Sequence, residues 1–252
     1  MKNQQISVVL ATFNEERNLS ECLDSIKDIA SEIVIVDGTS KDRTVEIARS
    51  YGAKVLVTDN PPIFHINKQK AIDMATKDWV LQLDADERVD TTLAREIMEC
   101  IENEEYNGYW MPRKNFFLGR FLMKGGQYPD YTLRLYRTGK GRLPQKDVHE
   151  QAEVEGKVGY LKHPLTHIAD PEFGRYFLRY KRYTNLLADE YEKTKVGKNP
   201  YQVIKYMLIK PIHWFVLSYG RHKGFMDSWQ GFVFSLFSAL RFPVSYYKYL
   251  RR

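Results

Sequence analysis

The chain has 252 residues, 43% of them hydrophobic and 28% charged, which excludes a disordered protein and allows one large domain or a domain with an appendage. Its net charge of +6 is unevenly placed: residues 174–252 hold 15 Lys/Arg against 4 Asp/Glu, and the first 173 residues hold 23 against 28. A near-neutral front with a basic, aromatic back implies two jobs, the second with an anionic surface as partner.

The opening stretch MKNQQISVVLATFNEE lacks the charged leader and the small-residue cleavage pattern of a signal peptide. Its apolar run Ile6–Leu10 is expected to be a buried strand ending at Ala11-Thr12-Phe13-Asn14-Glu15. Leu19, Cys22, Leu23, Ile26 and Ile29 then recur on one face of a helix. A strand at Ile33–Val36 follows, then the turn Asp37-Gly38-Thr39-Ser40, a helix stopped near Gly52, and a third strand at Lys54–Val57. Asn67–Ala75 is expected to be helical, Trp79–Leu83 a strand, and Thr91–Ile101 a helix. Cys22 and Cys100 have no metal-type spacing and fit reduced core residues of a cytosolic protein. Alternating strands and helices with short links predict a mostly parallel sheet flanked by helices. Ligands of such sheets bind beyond the carboxyl ends of the strands. Here those ends carry Thr12/Asn14/Glu15, Asp37/Gly38 and Asp84/Asp86.

The strand at Trp79 runs into Leu83-Asp84-Ala85-Asp86-Glu87. Residues i and i+2 of an extended segment point the same way, so the two aspartates converge and repel unless a cation lies between them or one is protonated. Oxygen ligands suit Mg²⁺ or Mn²⁺, and an ion with open positions grips a diphosphate. A solvated acidic loop is the plainer reading of an isolated D-x-D. Asp37 suits a ribose or base donor group, or simply a helix-entry turn. Neither G-x-G-x-x-G nor G-x-x-x-x-G-K-[ST] follows the first strand, which removes the dinucleotide and P-loop readings.

The ordered set S-V-V-L-A-T-F-N-E-E, I-V-I-V-D-G-T-S-K-D-R-T and L-D-A-D-E resembles the inverting glycosyltransferases of the GT-A fold. With N-K-Q-K-A-I-D-M-A-T-K-D-W-V-L-Q, Y-P-D-Y-T-L-R-L-Y-R and D-V-H-E, it is similar to the bacterial lipopolysaccharide-core β-1,4-glucosyltransferase group over nearly the whole chain. The resemblance implies a GT-A nucleotide-sugar-binding fold and a nucleotide diphosphate sugar donor, a UDP-sugar favoured. Donor-binding positions would be Ala11, Thr12, Asn14, Glu15, Asp37, Gly38, Lys68, Asp84 and Ala85, with Asp86 on a divalent cation. The turn V-D-G-T-S and the segment N-K-Q-K-A depart from the family pattern. A helix N-terminus plus the Lys68 ammonium makes a diphosphate cradle, although Lys68 and Lys70 also fit a plain exposed face.

From Gly108 to about His167 strand-like pieces (Tyr109–Pro112, Tyr131–Tyr136, Ala152–Val154) alternate with Gly/Pro-rich links and a basic-aromatic loop, Arg113 to Tyr128. This is expected to be an antiparallel acceptor ribbon added to the sheet edge. Inverting transfer needs a carboxylate to take the proton of the attacking hydroxyl. Glu150 in D-V-H-E is the first candidate, as in the family, and Asp130 the second, with pairing to Arg134 or Arg137 as its structural alternative. Arg134 and His149 are expected at the acceptor. His167 either completes the metal sphere or is a satisfied core histidine.

Phe173–Lys193 has the pattern of an amphipathic helix, and two further apolar, aromatic and basic segments follow Asn199-Pro200. The uncharged run from Ser228 to Leu240 is shorter than the ~20 residues a bilayer requires. Helices lying on an anionic membrane surface fit this mixture, as does an ordinary helical appendage or a contact between copies. Nucleic acid is not expected, since no binding motif accompanies the charge. The chain thus divides at 1–105, 106–172 and 173–252: a nucleotide-sugar half, an acceptor half, and a helical, membrane-associating appendage. The expected activity is transfer of a hexose, glucose favoured, to a lipid-linked acceptor such as lipopolysaccharide core, in the cytoplasm on the inner face of the plasma membrane. A polyprenyl-phosphate sugar synthase and a non-catalytic glycan-binding protein are the alternatives, and self-association into a homo-oligomer stays open.

Overall fold

Four short runs of branched aliphatic residues build the parallel half of the sheet. In the computed structural model, which describes residues 4–145 and 151–252, they are β1 (Ile6–Thr12), β2 (Glu32–Asp37), β3 (Lys54–Val57) and β4 (Trp79–Leu83). β1 pairs in parallel with both β2 and β4, and β2 with β3. Helices α1 (Leu19–Ile26), α2 (Thr44–Ser50) and α3 (His65–Asp73) connect them. Strand side chains alternate between faces, so β1 feeds two cores at once. Val8 and Leu10 pack with Leu19, Leu23 and Ile26 of α1, whereas Val9 packs with Val34, Val36 and Ala71. Cover on both faces is why β1 is apolar without interruption from Val8 to Ala11. Cys22 lies in the first core with Cys100 packed against it, and both thiols are free.

One carboxylate ties the amino ends of these strands together. Glu32, the first residue of β2, accepts hydrogen bonds from Ser7 Oγ on β1 and Lys54 Nζ on β3. It also accepts, at 2.9 Å each, from N and Oγ1 of Thr76, just ahead of β4. A buried charge is tolerated only when hydrogen-bonded and paired in this way.

Beyond β4 the pairing is mostly antiparallel. The elements are β5 (Glu87–Arg88), α4 (Thr91–Cys100), β6 (Gly108–Phe117), β7 (Arg120–Leu122) and β8 (Asp130–Arg137). Then come β9 (Gly141–Arg142), β10 (Glu153–Val154), β11 (Val158–Tyr160) and β12 (Leu165–Asp170). The large sheet runs β3-β2-β1-β4-β8-β6-β12-β5, with β7 and β11 also on β6, while β9 and β10 pair separately. The expected ribbon therefore extends the sheet from the β4 edge, through Trp79↔Arg137, Val80↔Tyr136 and Leu81↔Leu135. The loop expected from Arg113 onward is partly strand: β6 continues to Phe117 and turns into β7 through Leu118 and Gly119, both at positive φ.

The chain forms two compact units, Met1–Arg113 with Asp130–His167, and Lys114–Pro129 with Ile168–Arg252. The excursion 114–129, placed by the sequence in the acceptor half, groups with the C-terminal helices. Within that second unit α5 (Phe173–Lys193) is followed by α6 (Pro200–Ile204), α7 (Lys210–Phe215) and α8 (Ser228–Leu250), with π-helical turns at Lys205–Ile209 and Val216–Arg221. Asn199 caps α6 by accepting from Gln202 N at 2.9 Å, and Pro200 sits in its first turn, where no amide hydrogen is missed. Aromatic clusters hold the unit: Phe117, Leu122 and Tyr176 with Phe234 and Phe237, and Tyr191, Tyr206, Tyr246 and Tyr249. Buried Asp227 accepts from the amides of Met123 and Lys124 at 3.2 and 2.7 Å. Among the described residues no helix is long and apolar enough to cross a membrane.

Burial acts to raise the Glu32 carboxyl, but its bonds from Lys54, Ser7 and Thr76 outweigh that and lower it to about 2, from an ordinary 4.5. A depressed carboxylate contributes stability that is complete above the unfolded value and lost as pH falls through the folded one. Glu32→Gln is therefore expected to be less stable than the parent at pH 7 by an amount on the order of 3 kcal/mol. The gap should shrink between pH 4.5 and about 2, measured by urea unfolding across that window.

Candidate active site

The carboxyl ends of β1 and β2 form a polar corner. The chain leaves β1 through Asn14, at φ 55°, a left-handed conformation that asparagine tolerates. Asn14 Oδ1 accepts from Lys41 N at 2.8 Å, and Asn14 N donates to Ser40 Oγ at 2.8 Å. Asp37, expected to offer its carboxylate to a ribose or base, is fully buried. It already accepts from Thr12 Oγ1 (2.8 Å), Ser40 N (2.7 Å) and Ser40 Oγ (2.6 Å). It shapes this corner and keeps one of roughly four lone-pair sites. Gly38 N donates to Thr12 O at 2.8 Å, and a Cβ at Gly38 would meet the Asn60 side chain at 3.0 Å, so a larger residue there would have to displace Asn60. Glu15 N donates to Thr44 Oγ1 at 2.8 Å, and its carboxylate accepts from Asn18 Nδ2 at 2.7 Å. Ala11 lies on β1 opposite Val36.

The end of β4 carries a chain of alternating charges. Asp84 Oδ1 pairs with Lys68 Nζ, and Asp84 Oδ2 with Arg134 Nη2 at 2.7 Å. The same Arg134 nitrogen reaches Glu87 Oε1 at 2.9 Å, and Arg113 Nη1 reaches that oxygen at 3.2 Å. Arg113 in turn holds Asp130 through Nε (3.0 Å) and Nη2 (2.7 Å). Glu87 is fully buried, and its remaining oxygen accepts from Asp84 N at 2.9 Å while Glu87 N donates to Asp84 O at 2.9 Å. These reciprocal bonds close the D-A-D-E segment into a rigid turn. Burial would raise the Asp84 carboxyl, but Arg134 and Lys68 override it and hold the group well below the usual carboxylate range. Burial dominates at Lys68 and lowers its ammonium, against the pull of Asp84. At Arg134 the burial penalty is outweighed by Asp84 and Glu87, and the guanidinium is raised.

The pairings seen here differ from several expectations. The Asp84 charge is balanced by Lys68 and Arg134, so repulsion between the two aspartates does not by itself call for an ion. Lys68 is a buried counter-ion at 5% exposure, neither a free phosphate cradle nor an exposed lysine. Arg134, expected at the acceptor, is buried against two carboxylates, and Asp130 pairs with Arg113 instead of Arg134 or Arg137. Ala85 is buried in the core with its carbonyl accepting from Arg88 Nη1 at 2.7 Å.

Asp86 and His167 form a separate pair. The antiparallel pairing of β12 with β5 sets His167 opposite Glu87, and His167 Nε2 comes within 3.6 Å of Asp86 Oδ1. Two atoms sharing an ion at about 2.1 Å each lie roughly 3–4 Å apart, so the pair fits two positions on one cation. No group of three or more His, Cys, Asp or Glu among the described residues suits a metal. A cation here would keep most of its sphere for a diphosphate and water. His149 and Glu150 lie outside the described residues. Gln151, the next residue, is described: its Oε1 accepts from Thr132 Oγ1 and Leu133 N at 3.3 Å each, which holds it against β8.

Glu87 and Arg113 were given no role from sequence. A signal for such a network exists in β8, where Asp130, Thr132 and Arg134 share one face. An arginine there requires a carboxylate, but which one depends on the register of strands some 50 residues apart.

The family model for "Glycosyl transferase family 2" matches residues 7–165. The lipopolysaccharide core biosynthesis glycosyltransferase LpsC of Rhizobium meliloti is 30% identical over 251 residues, 94% of this chain and 91% of that protein. Several other curated relatives are matched over 42% of this chain and only 36% of their own length. Among solved structures, the mannosyltransferase PcManGT of Pyrobaculum calidifontis, in complex with GDP-Man and Mn²⁺, superposes with a TM-score of 0.55 at 15% identity, covering 99% of this chain and 88% of that one. Staphylococcus aureus TarS gives 0.51 at 19% identity, covering 89% of this chain and 45% of that one. These likenesses show the GT-A fold.

Removing one member of a buried ionic set leaves the others uncompensated. Arg134→Met is expected to destabilise the protein by roughly 3 kcal/mol or more in urea unfolding. Arg134→Lys should recover only part of this, because a lysine ammonium ends one bond short of the Nη2 that reaches both Asp84 and Glu87.

Proposed function

The chain belongs to glycosyl transferase family 2, and from that premise we propose that it moves a hexose, glucose favoured, from a nucleotide diphosphate sugar to a lipid-borne saccharide such as lipopolysaccharide core. A UDP-sugar is the favoured donor, and a single displacement inverts the anomeric carbon. The observation that carries this reading is the juxtaposition at the end of β4: a carboxylate held by Lys68 and Arg134, and beside it the Asp86–His167 pair.

In this reading Thr12, Asn14 and Glu15 line the nucleoside pocket, which Asp37 and Gly38 shape from beneath. Asp84, fixed by Lys68 and Arg134, presents the rim of its carboxylate to the donor ribose; its side chain is 28% exposed, the most open of the carboxylates in direct contact with Arg134. Asp86 and His167 would hold Mg²⁺ or Mn²⁺, which when bound supplies Lewis-acid stabilisation of the charge growing on the leaving diphosphate. The protein's own cations at this site are committed to carboxylates: Lys68, Arg113 and Arg134 against Asp84, Glu87 and Asp130. A fixed, balanced set costs no reorganisation as charge moves, which is the condition for electrostatic assistance. The proton of the attacking hydroxyl goes to a carboxylate on the opposite face of the sugar. Glu150 is the base in this reading, its neighbour Gln151 being tethered to β8 at Thr132 and Leu133, next to Arg134. His149 orients the acceptor beside it, and Asp130, bonded to Arg113, is the second candidate. The basic second unit would keep the enzyme peripheral on the inner face of the plasma membrane.

Two experiments test this reading. Glu150→Gln is expected to lower turnover by about 10²–10⁴-fold while calorimetry finds donor affinity retained; if Asp130→Asn removes turnover and Glu150→Gln does not, the base is Asp130. Asp86→Ala should abolish the Mn²⁺-dependent part of UDP binding, with His167→Ala giving a smaller loss. Nucleotide uptake indifferent to both substitutions would remove the cation from this pair.

A further inference from the structure

The second unit exposes a continuous apolar ridge that the transfer chemistry does not use. From 200 to 221 the helix alternates α and π-helical turns. An α-helix repeats every 3.6 residues, and the wider π turns lengthen that period, so every fourth residue stays on one face. Ile204, Leu208, Ile212 and Val216 follow that spacing and are between 51% and 61% exposed. The opposite row, Tyr206, Lys210, Trp214 and Ser218, faces inward, with Lys210 Nζ 4.0 Å from the Tyr206 ring centroid and Trp214 packed 5.8 Å from Phe242. The ridge continues past the helix end. Phe232 stacks edge-on to Phe215 and Tyr219 at 5.9 and 5.7 Å, and Phe225 to Tyr219 at 6.3 Å. Phe225, Met226 and Trp229 are each more than half exposed.

An exposed apolar surface of this extent marks an interaction site. Charge decides the partner. Residues 193–226 contain seven Lys/Arg and no Asp or Glu, and Arg221-His222-Lys223 stands between the aliphatic row and the Phe225–Trp229 tip. A symmetric contact between two copies would set cations against cations, because an isologous interface applies the same patch twice. An anionic bilayer meets both halves of the surface at once: aliphatic and aromatic side chains enter the headgroup boundary while Lys and Arg meet lipid phosphates. Trp229, with an apolar ring and a polar N–H, suits that boundary.

We infer that the second unit docks on an anionic bilayer through this ridge, Ile204 to Val216 continued by Phe225, Met226 and Trp229, lying in the interface plane. The consequence for catalysis, delivery of a lipid-borne acceptor, rests on the transfer reading above; the binding itself does not.

The test is co-sedimentation of the full-length protein with vesicles of phosphatidylcholine alone or mixed with phosphatidylglycerol, without donor or acceptor. The protein is expected to sediment with the anionic vesicles and to be released by raised salt. Leu208→Asp with Ile212→Asp should weaken partition by about tenfold or more. Arg221→Gln and Lys223→Gln should each weaken it about fivefold, on anionic vesicles only. All these positions are exposed, and unchanged UDP affinity and thermal melting confirm that the variants fold. Three results overturn the inference: parent protein left in the supernatant with anionic vesicles, variants that sediment like the parent, or a lipid-free dimer that Leu208→Asp splits. A parent that binds vesicles but not nucleotide would sink the transfer reading and leave this one standing.

Discussion

The charged chain Lys68–Asp84–Arg134–Glu87–Arg113–Asp130 is the constraint on which the first unit depends. Its members come from α3, the end of β4, β5, β6 and β8. A buried charge is costly unless paired, so the set is stable only when all five segments arrive in one register. Arg113 and Asp130 are direct cross-strand partners, and a slip of one residue would turn the polar face of β8 into the aliphatic core. Hydrophobic packing accepts many near-solutions, whereas this set of ion pairs accepts few. Specificity of register, more than net stability, is what such a network supplies.

Sequence periodicity revealed the elements because each depends on neighbours a few residues away. The alternation Val8/Val9/Leu10, the one-sided stripe of α1 and the span of α5 at Phe173–Lys193 all follow from local spacing and agree with the structure. The rim of the parallel sheet was legible for the same reason, since strand ends are where polar residues interrupt apolar runs. The partners across that rim were not legible. Asp84 and Asp86, two residues apart, suggested mutual repulsion and a shared ion, but they face different partners: Lys68 and Arg134 on Asp84, and the His167 ring 3.6 Å from Asp86. Those partners lie 16 to 81 residues away, and only the sheet order brings them close. Lys68 illustrates the point: a lysine near a helix start looks like a phosphate ligand, and burial beside a carboxylate turns it into a counter-ion.

The parallel sheet divides its labour between its two ends. At the amino ends Glu32 accepts from Ser7, Lys54 and Thr76, which together satisfy its carboxylate. At the carboxyl ends the polar groups are also bonded, yet Asp84 keeps an exposed edge and Asp37 an unused lone-pair site. Rigid support on one rim lets the other hold charges in an arrangement that would be unfavourable on its own.

Neutrality at the site has a consequence for what a diphosphate meets there. Among the described residues, three cations facing three carboxylates offer a nucleotide little net positive charge, although the cations are close at hand. In the proposed reading a diphosphate at such a rim would depend on a charge that arrives with it, and the Asp86–His167 pair lies just beyond Asp84 in the same turn. An ion held by only two protein groups binds weakly alone and more firmly once phosphate oxygens complete its sphere. Cation and nucleotide would then bind cooperatively, each supplying the other's missing partner. The reciprocal bonds between Asp84 and Glu87 fix the turn that carries Asp86, so in the proposed reading the buried network would act on that cooperativity through geometry.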